Sequence, residues 1–214
     1  MRSALPLTVL TALTLALPVG IEAQTVLGFG GGFRSASISL DPDDDDLADS
    51  RTGIGVFGFV GIPVSETFRV QPGLGFVQKG AKDSSSSGDV TLELDYLEIP
   101  ILGVFSVPSE GPVGFHLYAG PTIAFEAGCS VKGEDDGVSV DLDCTDDVVE
   151  TKSTDIGLAL GAAISYATSE TMGLFLSAGY GLGLTNIADG EDDDQTAKNR
   201  VLAIDVGLSF RVGG

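Results

Sequence analysis

His116 is the single histidine of the 214-residue chain, so any acid–base chemistry by an imidazole must run through it. Glu98 sits in the run Tyr96-Leu97-Glu98-Ile99-Pro100, an acid among apolar neighbours. Two acidic runs, Asp41-Pro-Asp-Asp-Asp-Asp46 and Asp189-Gly-Glu-Asp-Asp-Asp194, offer oxygen ligands suited to Ca²⁺ or Mg²⁺. Neither is a dedicated loop: counted from Asp41, the sixth position is Asp46 where glycine is needed, and the twelfth is Thr52 where a glutamate is needed. The runs read as a solvated acidic fringe, with Asp43, Asp44, Asp45, Asp192, Asp193 and Asp194 as candidates for weak, screened cation binding; no metal site and no cofactor are expected. Cys129 and Cys144 lie in a segment rich in Asp, Gly and Ser, and in an exported chain they read as a disulfide closing one loop. Gly28-Phe-Gly-Gly-Gly32 mimics part of a dinucleotide motif but lacks the strand-to-helix context, so it reads as a glycine-rich strand.

The elements that carry these residues show period-2 alternation. In 201–212, Leu202, Ile204, Val206, Leu208, Phe210 and Val212 fall on one face, opposite Ala203, Asp205, Gly207, Ser209 and Arg211. The same split recurs in 115–126, 155–166 and 173–185. It is less clean around 25–38, 52–62, 67–80 and 89–106. These segments predict eight antiparallel strands. Short links near 63–67, 108–112 and 168–172 alternate with long acidic links at 40–51, 81–89, 128–154 and 188–199.

Charge and hydropathy are segregated in the same way. The formal charge is −20, yet mean hydropathy is +0.28. Acid runs in connections and apolar residues in strands reconcile the two values, and they exclude an acidic disordered chain. Eleven Lys and Arg against 31 acids exclude a phosphate-binding nucleic-acid protein. At the N-terminus, Arg2, the apolar stretch Ala4–Val19 and Ile21-Glu22-Ala23 read as a signal peptide over 1–23 with the mature domain over 24–214.

Two closed barrels fit eight such strands. A soluble, lipocalin-like periplasmic barrel would turn the oily face inward and give water a face of Lys, Glu and Gln. The second face here is Gly, Ala, Ser and Thr with isolated charges, which suits the crowded lumen of an eight-stranded barrel with its oily face in lipid. In hydrocarbon a sheet must close, because every backbone N–H and C=O must be paired. The architecture predicted is therefore an all-β, up-and-down transmembrane barrel with short periplasmic turns and long acidic extracellular loops. Arg69, Glu98, His116 and Arg211 fall on inward positions near the periplasmic end. They read as a salt-bridged lumen network that fixes register, with Glu98 pairing Arg69, Arg211 or His116.

Phe68-Arg-Val-Gln-Pro-Gly-Leu-Gly-Phe-Val-Gln-Lys-Gly80, then Leu94-Asp-Tyr-Leu-Glu-Ile-Pro-Ile101, then Leu117-Tyr-Ala-Gly-Pro-Thr-Ile-Ala-Phe125 resemble the PorT-like outer-membrane β-barrel family. The Tyr-Leu-Glu-Ile-Pro block is the most specific part. The resemblance implies location in the bacterial outer membrane, in contact with lipid and lipopolysaccharide, and no assigned activity. The chain ends Phe210-Arg-Val-Gly-Gly rather than on an aromatic residue, a departure from many such barrels. The functional expectation is a non-enzymatic protein with a structural or surface-interaction role, against a narrow channel or carrier and the soluble barrel.

Overall fold

The computed structural model describes residues 24–41, 49–85, 88–135, 138–144, 152–188 and 196–213. Among these described residues there are nine antiparallel strands: β1 (Thr25–Asp41), β2 (Asp49–Pro63), β3 (Phe68–Ser85), β4 (Gly88–Val107), β5 (Val113–Asp135), β6 (Val138–Asp143), β7 (Thr154–Ala167), β8 (Met172–Gly183) and β9 (Thr196–Val212). Each pairs with its neighbour in the order β1-β2-β3-β4-β5-β7-β8-β9, and β9 returns to β1 along Thr25↔Val212 to Asp41↔Thr196. That ring holds eight strands. The ninth, β6, pairs with the far end of β5, from Ser130↔Asp143 to Asp135↔Val138.

The expected count of eight is thus corrected to nine, and all four long links contain more strand than expected. Composition is the reason. Ser, Asp and Gly in 81–89 and 128–154 read as loop residues, but a chain already in ladder register keeps pairing while its neighbour supplies partners. Asp83↔Val90 and Gly133↔Val140 continue the ladders in that way. The three short connections, 64–67, 108–112 and 168–171, fall where expected and share one end of the cylinder.

The direction of the alternation decides the class of barrel. Leu202, Ile204 and Val206 are 51%, 53% and 61% exposed, whereas Val201 and Asp205 on the same strand are buried. Leu158, Leu160 and Ile164 on β7, and Leu174 and Leu176 on β8, repeat the pattern. The outward row on β9, from Leu202 to Val212, covers ten residue steps. That is about 33 Å along the strand at ~3.3 Å per step, or about 25 Å once tilted by ~40°.

Glycines on the inner face admit larger neighbours. A Cβ on Gly161 or Gly179 would collide with the Tyr118 phenol, and one on Gly207 with the Phe175 ring. At the end carrying the long connections, Leu94, Tyr96 and Ala124 are fully buried beside Ile38, Ala81 and Ile187, forming an apolar cluster inside the cylinder. Ile187 reaches it from the 184–188 segment, held by Ile187 N–H donating to Ala197 O (2.9 Å) and Lys152 N–H donating to Ile187 O (2.8 Å).

Candidate functional site

The lumen below that apolar cluster is layered. In the upper layer, Lys79 on β3 projects inward between two carboxylates, with Nζ 3.0 Å from Glu98 Oε2 on β4 and 3.2 Å from Asp155 Oδ2 on β7. The ammonium also stands 4.8 Å from the centre of the Tyr96 ring, within cation–π range. Asp155, almost wholly buried, accepts two further hydrogen bonds, from Asn199 Nδ2 at 2.9 Å and Thr185 Oγ1 at 3.1 Å. One carboxylate thereby ties β3, β7 and β9 with the 184–188 segment. Burying charge costs several kcal/mol per ion unless it is paired and hydrogen-bonded, and here both conditions hold.

In the middle layer, Arg34 Nη1 lies 2.5 Å from Asp205 Oδ1, both buried, across the β1–β9 seam that closes the ring. Gly55 leaves the space for this guanidinium, since a Cβ there would lie 2.6 Å from Arg34 Nη2.

The lower layer, toward the short turns, is split in character. Phe57 and Phe59 on β2 and Phe175 on β8 form one wall, with ring centres 5.9–6.4 Å apart. Opposite lie Arg69 and Gln71 on β3, Ser106 on β4, His116 on β5 and Ser165 on β7. His116 is held between two hydroxyls, Nδ1 to Ser106 Oγ and Nε2 to Ser165 Oγ, each at 2.9 Å. Arg69 donates from Nε to Gln71 Oε1 and from Nη1 to Ser106 Oγ, both at 3.3 Å. A cavity of about 480 Å³ runs from Lys79 and Asp155 past these layers to Glu66 and Met172 at the short-turn end.

Of the four residues expected to form one network, the structure joins two. Arg69 and His116 meet through Ser106. Glu98 does not join them, because it lies eight residues along β4 from Ser106, about 26 Å at ~3.3 Å per residue. Its partner is Lys79, and the expected pairing with Arg69, Arg211 or His116 is corrected accordingly. Arg211 is exposed at the rim and donates to the Glu170 backbone carbonyl (3.1 Å). Sequence reading missed Lys79, Asp155, Asn199 and the Arg34–Asp205 pair. Alternation marked Asp205 as inward, but its partner across the seam closing the first strand on the last has no local signature.

The Cys129–Cys144 disulfide is present, beside a Cys144 N–H to Cys129 O bond of 3.1 Å, and it secures the β5–β6 hairpin. On the outer face of this hairpin and its neighbours, Glu93 pairs with Arg51 (3.2 Å) and Lys132 (3.0 Å), and Lys82 with Asp89 (2.7 Å). Partial burial pushes the Glu93 carboxyl up, but the Lys132 hydrogen bond and the charges of Arg51 and Lys132 outweigh it and leave Glu93 below its usual range. The same contact with Glu93 raises Lys132. The six aspartates considered for cation binding, Asp43, Asp44, Asp45, Asp192, Asp193 and Asp194, lie outside the described residues, as does the 1–23 segment. Among the described residues no cluster of His, Cys, Asp and Glu is arranged to hold a metal ion.

A ring of strands with apolar residues outside and paired charges inside is the construction of a membrane-spanning β-barrel. The family of outer membrane protein β-barrel domains matches residues 22–189, well over half of the chain, and the chain belongs to it. It is a bacterial outer-membrane protein. No curated protein matches. Among solved structures it is similar to Neisserial surface protein A (16% identity, 86% of this chain and 96% of that one, TM-score 0.49). It is also similar to OprG from Pseudomonas aeruginosa (13%, 91% and 99%, 0.47) and to a major outer membrane protein from Thermus thermophilus (12%, 86% and 99%, 0.47). These likenesses concern the shape of the chain and carry no functional argument.

Proposed function

We propose that this chain is a non-enzymatic barrel of the PorT-like type with a structural or surface-interaction role, exported by a signal peptide over residues 1–23. The observation that carries the role is the apolar cluster of Ile38, Leu94, Tyr96 and Ile187 inside the end that bears the long connections. A cylinder packed with buried side chains at that end offers its partners a surface rather than a passage. Placing the three short turns in the periplasm puts the β3–β4 and β5–β6 hairpins outside the cell, where lipopolysaccharide and divalent cations meet them. The lower lumen supports the absence of an enzyme. His116 has serine hydroxyls on both nitrogens and, among the described residues, no carboxylate partner to orient it, unlike a hydrolytic triad.

The test combines two measurements on the refolded protein. Heat-modifiable migration on a gel reports the closed barrel, and conductance in planar bilayers reports passage. The reading expects a shifted folded band and no unitary current steps. Reproducible steps selective for a solute would replace it with the narrow-channel reading. Partition into the aqueous phase without detergent would favour a soluble barrel.

A further inference from the structure

The lower lumen holds a cation, Arg69, that no carboxylate among the described residues neutralises. Arg34 and Lys79 each face a carboxylate at 3.2 Å or less. Arg69 has none within 4 Å among the described residues; its two hydrogen bonds, both 3.3 Å, go to neutral oxygens. A guanidinium carries five N–H donors in a planar fork suited to a carboxylate. A partly buried cation of this kind gains most from an ionised acceptor. The wall facing it is aromatic, formed by Phe57, Phe59 and Phe175. Arg69 packs against the strand that carries two of these rings: a Cβ on Gly61, two residues along β2 from Phe59, would stand 3.0 Å from Arg69 Cδ. His116 and Ser106 add polar groups beside the fork. These groups line the short-turn part of the lumen cavity, whose whole volume is about 480 Å³.

We propose that the short-turn half of the lumen is a binding site for a small aromatic carboxylate, its carboxyl on the Arg69 fork and its ring against Phe57, Phe59 and Phe175. With the apolar cluster above, the ligand enters and leaves at the short-turn end, so the barrel holds the acid rather than passing it. This extends the surface role without depending on it, because binding in the lower lumen is independent of what the hairpins contact.

Benzoate is the probe, with the folded barrel in lipid nanodiscs and binding read by calorimetry and saturation-transfer NMR. The expected result is saturable, one-to-one binding. Benzyl alcohol and acetate, which each lack half of the recognition, should bind at least tenfold more weakly. Arg69→Gln should weaken benzoate tenfold or more while heat-modifiable migration is unchanged, and Phe175→Leu should weaken it severalfold. Uptake that does not saturate would overturn the proposal. So would equal affinity for benzoate and benzyl alcohol, or for benzoate and acetate. Undiminished binding by a folded Arg69→Gln barrel would do the same. Should that variant fail to fold, the three-ligand comparison on the unaltered protein decides.

Discussion

Val206 is the position at which the orientation of the sheet can be tested most sharply. Its side chain is 61% exposed, and the residue pairs with Gly31 on one side and Leu176 on the other. With each step worth about 2.5 Å of height at ~40° tilt, Val206 lies about 10 Å from the Leu202 level and about 15 Å from the Val212 level, near the middle of the apolar band. An arginine there must bring its charge to the bilayer midplane, at about 2–4 kcal/mol; at Val212, close to the interface, the same change costs about 0–1 kcal/mol. Val206→Arg should therefore be less stable than Val212→Arg by about 2 kcal/mol. The chain has no tryptophan, so guanidinium unfolding in lipid vesicles would be followed by gel mobility and tyrosine fluorescence. Equal costs at the two depths would refute the membrane orientation. A soluble barrel would accept arginine at both positions with little penalty.

The Asp155→Ala variant leaves Asn199 and Thr185 without their acceptor and Lys79 with Glu98 alone, so unfolding in lipid should show a loss of about 3 kcal/mol. Glu98→Gln, which leaves Lys79 paired to Asp155, should cost about 1 kcal/mol in the same assay; a larger loss than for Asp155→Ala would reverse the ranking of the two acids. Replacing Cys129 and Cys144 by serine frees a hairpin whose cysteines are 15 residues apart in sequence. Protection of β6 amides from hydrogen exchange should fall while the midpoint for the ring stays within error, and a matching drop in both would show that the hairpin and ring unfold together. Because Glu93 is lowered from 4.5 in the folded hairpin, its pairing stabilises above that value and is lost as pH falls through the folded pKa. Exchange protection at the Lys132–Asp141 pairing should hold from pH 8 to pH 5 and decline below about 4.5. Glu93→Gln should remove its share of that decline; an unaltered pH profile would deny Glu93 the role.

The ring was legible because its physics is local. Leu202, Ile204 and Val206 alternate with Ala203, Asp205 and Gly207, and residue type alone indicates which set lipid accepts. Two of the three short turns were legible because Pro63, Pro108 and Pro112 mark chain reversals, and the third, Thr168-Ser-Glu-Thr171, because a polar run interrupts two alternating segments. The ninth strand was not. Val138, Val140 and Leu142 alternate as strongly as many ring residues, but Asp135, Asp141 and Asp143 around them read as a solvated connection. Pairing to β5 beyond the rim overrides that composition. At the extended ends the outward face is charged rather than oily, with Lys82, Asp89, Glu93 and Lys132 satisfying one another, so the lipid pattern disappears while the ladder continues.

The lumen separates two kinds of information that alternation mixes. Parity tells which face a residue takes, and Arg69, Glu98 and His116 line the lumen cavity. Parity is silent on height, and height decides partners in a cylinder whose strands are staggered. Glu98 and Ser106 share a face of β4, yet their side chains serve different layers. Lys79 and Asp155 lie on strands with two others between them around the ring, and they meet only because the lumen is narrow enough for one ammonium to span it. The same narrowness brings Phe59 to Phe175, while Arg69 has neutral oxygens rather than an acid as its partners among the described residues. Packing across the cylinder, which no strand encodes by itself, thus selects which charges are neutralised within the barrel and which remain to be met by a ligand.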